Sequence, residues 1–142
     1  MKKALLICTL AFVSLLILNS CKKEEKDPRD DYVGTFSVTE SWTSVLGGSG
    51  TDSYSLSIAK SSVDEEKIII NNLGDLFNGI SAIVNGSNFT ITSQLTSYNG
   101  YSWRISGSGT LTGTYISINY TGAIEETGVT GGYTASASGS KE

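Results

Sequence analysis

The chain has 142 residues, with 10 Lys and Arg against 14 Asp and Glu, and contains no His, one Pro, two Cys and 16 Gly. That length holds one domain of ordinary size, and the absence of His removes Ser-His-Asp, Cys-His and His-built zinc centres from consideration. A net charge of −4 lacks the basic face that a nucleic-acid partner requires.

Lys2 and Lys3 precede an apolar run from Ala4 to Leu18 that is interrupted only by Thr9 and Ser14. The run is shorter than the ~20 residues of a spanning helix and matches the core of a secretory signal peptide. It ends in Leu18-Asn19-Ser20-Cys21, which resembles a bacterial lipobox, where diacylglycerol is joined to Cys and the peptide is cut before it. The expectation is a lipoprotein signal peptide over residues 1–20 and an acylated, palmitate-bearing Cys21 that anchors the mature chain to a membrane. Cys8 lies in the discarded core, so the mature chain has no second thiol and forms no internal disulfide.

Residues 21–31 read as a charged tether. Lys22-Lys23-Glu24-Glu25-Lys26-Asp27-Pro28-Arg29-Asp30-Asp31 holds no apolar residue except Pro28, and such a stretch is expected to stay solvated. The Lys-Glu-Glu pattern after Cys21 also resembles the export signal of surface lipoproteins in Bacteroidetes. Its implication is an outer-membrane, lipid-anchored protein exposed at the cell surface.

From residue 32 to 142 the hydrophobic period is two. Tyr54, Leu56 and Ile58 alternate with Ser53, Ser55 and Ser57; Phe89 and Ile91 with Thr90 and Thr92; Tyr101, Trp103 and Ile105 with Ser102, Arg104 and Ser106; Ile116, Ile118 and Tyr120 with Ser117, Asn119 and Thr121. Such alternation puts one row of side chains on a core and the other in solvent. The 22 Ser and 15 Thr of the chain supply most of the solvent row. Ser62-Val63-Asp64-Glu65 matches a helix capping box, but the β-branched run Ile68-Ile69-Ile70 follows it, which favours a turn.

Gly47-Gly48-Ser49-Gly50, Asn71-Asn72-Leu73-Gly74-Asp75, Asn85-Gly86, Asn99-Gly100, Thr112-Gly113-Thr114 and Gly128 to Gly132 punctuate the strands. Asn85-Gly86 suits a type I′ hairpin, which needs positive φ at both central residues. Eight strands are predicted to start near Tyr32, Asp52, Glu66, Ile80, Phe89, Ser102, Tyr115 and Gly132. Short connections make consecutive strands antiparallel, so the fold is an up-and-down meander. Closure removes its two exposed edges, and Gly34, Gly107 and Gly109 stand where strands must coil. The expectation is an all-β, eight-stranded, mostly filled small barrel; the alternative is a flattened two-sheet β-sandwich.

Asp31-Tyr32-Val33-Gly34-Thr35-Phe36-Ser37-Val38-Thr39-Glu40 resembles the opening of small Bacteroidetes lipoproteins with a lipocalin-like domain. Ile70 to Gly74, Val84-Asn85-Gly86 through Gln94, Gly107 to Leu111, and Tyr115 to Thr121 are similar to that group as well. Gly34-Thr35-Phe36 is reminiscent of the lipocalin Gly-x-Trp entry, with Phe in place of Trp. The resemblance covers most of the domain and implies an anchored lipocalin-like barrel; its motifs carry no reaction.

The acidic residues Asp31, Glu40, Asp52, Asp64-Glu65-Glu66, Asp75 and Glu125-Glu126 show no paired general acid and base, and no loop has calcium-binding spacing. The expectation is a non-enzymatic protein without metal or cofactor. The candidate binding residues are aromatic: Trp42, on the same side of its strand as Phe36, Val38 and Glu40, and Tyr98, Tyr101 and Trp103 around the Asn99-Gly100 turn. Such rings line a barrel mouth for a small hydrophobic or glycan-like ligand. Arg104 faces opposite Trp103 and is expected on the surface. The competing reading is a filled barrel that serves as a structural or protein-interaction module at the envelope. An open-ended cavity of about 300 Å³ or more favours the ligand.

Overall fold

The structure, a computed structural model, describes residues 26–142; the signal segment, Cys21 and residues 22–25 lie outside the described residues. Each alternating run forms a strand: β1 Gly34–Ser44, β2 Ser49–Lys60, β3 Lys67–Asn71, β4 Ile80–Asn85, β5 Asn88–Tyr98, β6 Tyr101–Thr112, β7 Tyr115–Ile124 and β8 Gly132–Lys141. Every predicted start falls within three residues of the observed one. Each strand pairs antiparallel with its sequence neighbour, and β8 returns to β1 from Phe36 opposite Lys141 to Ser44 opposite Tyr133. The result is a closed eight-stranded barrel, and the two-sheet sandwich is not formed. Among the described residues no helix is long and apolar enough to cross a membrane.

The inward rows are the predicted apolar ones. Phe36, Leu56, Ile68, Ile70, Phe89, Ile91, Ile105, Ile116 and Ile118 are fully buried, while the Ser and Thr rows face outward. Gly109 lets the wall coil tightly over this core: a Cβ there would collide with the Phe89 ring. On β5 the pairing slips between Ile91, opposite Gly107, and Gln94, opposite Ile105, so Thr92 and Ser93 oppose Ser106 alone, as a β-bulge. β4 pairs with β5 only from Ile83 to Asn85. Beyond that, the Gln94 amide takes over as a substitute strand, accepting from Ser81 N at 3.0 Å and donating to Ser81 O at 2.7 Å.

Two sequence expectations need correction. The β4–β5 hairpin closes at Asn85 opposite Asn88, so its loop is Gly86-Ser87, with positive φ only at Gly86. That is the pattern of a type II′ turn rather than the I′ turn expected at Asn85-Gly86. The Asn99-Gly100 turn, with φ of 52° and 82°, does have both central residues in the left-handed region.

The tether is also shorter than expected. Pro28–Asp31 forms a 3₁₀ turn capped by Asp27, whose Oδ1 accepts from Arg29 N at 2.9 Å. Arg29 is buried: its guanidinium grips the Asp27 carboxylate, with Nη2 to Oδ2 at 2.7 Å, and Nη1 donates to the Asp64 carbonyl at 3.0 Å. The Arg29 guanidinium bonds to Asp27, with the Arg29 N–H beside them, hold the Asp27 carboxyl well below the usual carboxylate range. Tyr32 is not part of the first strand. Its ring meets Phe89 edge-on at 5.7 Å and its hydroxyl donates to Gly86 O at 3.0 Å. The charged segment therefore folds as a plug, because Arg29 finds both a carboxylate and a carbonyl under the barrel. This plug closes the end formed by the β2–β3, β4–β5 and β6–β7 connections.

Candidate functional site

The opposite end, formed by the β1–β2, β3–β4, β5–β6 and β7–β8 connections, is open. A cavity of about 690 Å³ occupies it, bounded by inward side chains near the ends of β1, β2, β5, β6, β7 and β8 and by the β3–β4 loop. The barrel is thus filled at its plugged end and hollow at its mouth, which departs from the mostly filled interior expected from sequence. A shallower concavity of about 550 Å³ lies on the outer wall among Ser41, Thr43, Asn119, Thr121, Thr134 and Ser136. It holds no charged or aromatic side chain apart from Tyr120, whose ring belongs to the interior.

The loop between β3 and β4 shapes the cavity floor. Leu73 and Phe77 pair their backbones, N to O at 2.9 Å and 3.0 Å, and both side chains are fully buried. Asn72 ties the loop down by donating from Nδ2 to Ser55 O at 2.9 Å and Asp75 Oδ1 at 3.0 Å. Gly74, at φ 68°, donates to the Tyr54 hydroxyl at 2.9 Å, and a Cβ at this position would strike the Tyr120 hydroxyl. The loop therefore lies directly on the tyrosines, an approach that only glycine permits.

Phe77 is the hub of an aromatic cluster. Its ring centroid stands 6.0 Å from Tyr98, 5.7 Å from Trp103 and 6.5 Å from Tyr133, the last in a stacked arrangement. Trp103 and Tyr133 are 6.0 Å apart, and Tyr133 meets Tyr120 edge-on at 5.8 Å. Trp42 lies over Gly50 at the rim and donates from Nε1 to Asp52 Oδ2 at 2.7 Å.

Glu40 is the one buried carboxylate among the described residues, at 3 % exposure. Its Oε2 accepts from the Tyr54 hydroxyl at 2.6 Å and the Tyr120 hydroxyl at 2.8 Å. Burial pushes the Glu40 carboxyl above its ordinary value, helped by the nearby Asp52 charge and opposed by the two hydroxyl bonds. Burial likewise holds Tyr54, Tyr120 and Tyr133 well above the usual phenol range, so their hydroxyls remain proton donors. One donor in the cluster, Trp103 Nε1, is buried without a hydrogen-bond partner, while the Tyr133 hydroxyl lies against that of Tyr120.

Of the four aromatic residues expected at the site, Trp42, Tyr98 and Trp103 line the cavity. Tyr101 does not. It stands opposite Tyr98 at the tip of the β5–β6 hairpin, is 42 % exposed and stays outside the cavity. Arg104 lies on the outer wall, paired with Glu125 at 2.7 Å. Sequence reasoning missed Glu40, Tyr54, Phe77 and Tyr133 as site residues. Glu40 did carry a signal: it is an acid standing in the inward row between Val38 and Trp42. Phe77 carried none, because its loop has no periodicity.

Among the described residues no three Asp, Glu, Cys or His side chains gather closely enough to hold a metal ion. No family model and no curated protein matches the chain.

Proposed function

We propose that this chain is a lipid-anchored, non-catalytic binding module that holds a small molecule with an apolar body in the open mouth of its barrel. The observation that carries this reading is the cavity of about 690 Å³, more than twice the smallest volume typical of ligand pockets, with an aromatic floor and one open end. The anchor is argued from sequence: basic start, short apolar core and Leu18-Asn19-Ser20-Cys21. The described chain enters the barrel through the plugged end, and Cys21 stands only five positions before Lys26. A lipid on Cys21 would then hold the plug toward the outer membrane and turn the mouth away from it.

Both tryptophans of the chain, Trp42 and Trp103, line the cavity, so intrinsic fluorescence reports directly on occupancy. Native mass spectrometry of the purified chain is expected to show a co-purifying small molecule, and its removal and return should shift the tryptophan emission. A clean apo mass from several hosts, with emission indifferent to small apolar probes, would overturn this reading and favour the structural or protein-interaction alternative. For the anchor, Cys21→Ser is expected to leave an uncleaved precursor that incorporates no labelled palmitate. Unchanged palmitate labelling and membrane fractionation would refute the lipobox.

A further inference from the structure

Resting on the small-molecule reading above, we propose that the ligand is a small organic cation: an ammonium group on an apolar or aromatic body. Three carboxylates line the cavity, Glu40, Asp52 and Asp75, and no Lys or Arg does. Glu40 sits deepest and forms no ion pair among the described residues; its two bonds, from Tyr54 and Tyr120, both reach the same oxygen. A buried carboxylate without a positive partner is costly to the fold. Elsewhere on this barrel a buried charge is compensated, as Arg29 is by Asp27. An arriving ammonium would supply the missing counter-charge at Glu40.

The surrounding surface fits the rest of such a molecule. Trp42, Tyr54, Trp103 and Tyr133 line the cavity, and aromatic rings both accept an apolar body and attract a cation. Competing ligand classes meet this surface badly. A fatty acid would place a second anion beside Glu40, and a neutral sugar would leave Glu40 uncompensated while covering apolar rings. Outside the mouth, Glu125 and Glu126 on the β7–β8 connection add negative charge against the single Arg104, so the field at the entrance draws cations in.

The test is tryptophan fluorescence and calorimetric titration of the full chain with three probes of one shape: 2-phenylethylamine, 2-phenylethanol and phenylacetate. The amine is expected to bind at least about tenfold more tightly than the alcohol, and phenylacetate to produce no change. Glu40→Gln should bring the amine down to the level of the alcohol while leaving the alcohol unaffected. The probe series runs on the unaltered chain, so it decides the matter even if the variant fails to fold. An alcohol that binds as well as the amine, or a preference for phenylacetate, would overturn the cation while sparing the binding-module reading. Failure of all three probes, together with an apo mass, would remove both.

Discussion

Phe77→Ala is expected to cost about 3–5 kcal/mol of folding free energy in urea denaturation, the usual range for deleting a buried aromatic ring. Phe77 comes from a loop, where a substitution is ordinarily mild, yet it is fully buried and touches Tyr98, Trp103 and Tyr133. The loop reaches that position through the backbone pair of Leu73 and Phe77 and through the Asn72 bridges to Ser55 and Asp75. Removing the ring leaves three aromatic side chains facing a void continuous with the cavity, so Trp103 emission should shift to the red as water enters. Leu76→Ala, at a half-buried position in the same loop, serves as the control and should cost well under half as much. A loss below about 1 kcal/mol for Phe77→Ala would show that the loop does not seat its ring in the barrel.

The second large effect is expected at Glu40, and its sign is opposite. Burial raises the Glu40 carboxyl above its ordinary value of 4.5, with Asp52 adding to the rise and the Tyr54 and Tyr120 bonds resisting it. The folded chain therefore binds this proton more tightly than the unfolded chain. Stability contributed at this site is greatest at acid pH and falls as pH rises from the ordinary carboxylate value through the raised one. Glu40→Gln removes that penalty while its amide oxygen still accepts from both hydroxyls. The variant is expected to be more stable than the parent at pH 7 by about 1–3 kcal/mol and to converge with it toward pH 4. The difference between the two chains is the measurement, because Asp27, Asp64 and Glu125, whose carboxyls are held low by Arg29, Lys67 and Arg104, lose stability on acidification in both. A variant less stable than the parent at pH 7, with a gap unaffected by pH, would show that Glu40 is a structural element of the core. A more stable variant would mark the carboxylate as a group that costs the fold something and is explained by what it binds.

The strands were legible because apolar and hydroxyl residues alternate with a period of two, and a pleated strand turns that period directly into an inner and an outer row. Ile116, Ile118 and Tyr120 against Ser117, Asn119 and Thr121 needed no other information. Hairpin details were less legible. Asn85-Gly86 and Gly86-Ser87 are both acceptable turns, and the choice between them fell to the pairing of Asn85 with Asn88. The charged segment before Tyr32 misled because composition alone describes what a stretch does in isolation. Arg29 becomes buried only because Asp27 and the Asp64 carbonyl, 35 residues further along the chain, meet it under the barrel.

The cavity followed the same division. Trp42, Tyr98 and Trp103 could be assigned to the mouth from strand parity and position, while Tyr101, directly opposite Tyr98 at the hairpin tip, stays exposed outside the cavity, which parity alone does not foretell. Local periodicity by itself determined eight antiparallel strands, their inward rows and the need to close. Only the tertiary structure decided that one end is plugged by the 3₁₀ turn and the other left hollow. It alone converted Glu40 from one acid among fourteen into a buried charge between two tyrosines. The physical reason is that alternation is a property of neighbouring residues, whereas volume and electrostatic compensation are sums over side chains brought together from strands far apart in the sequence.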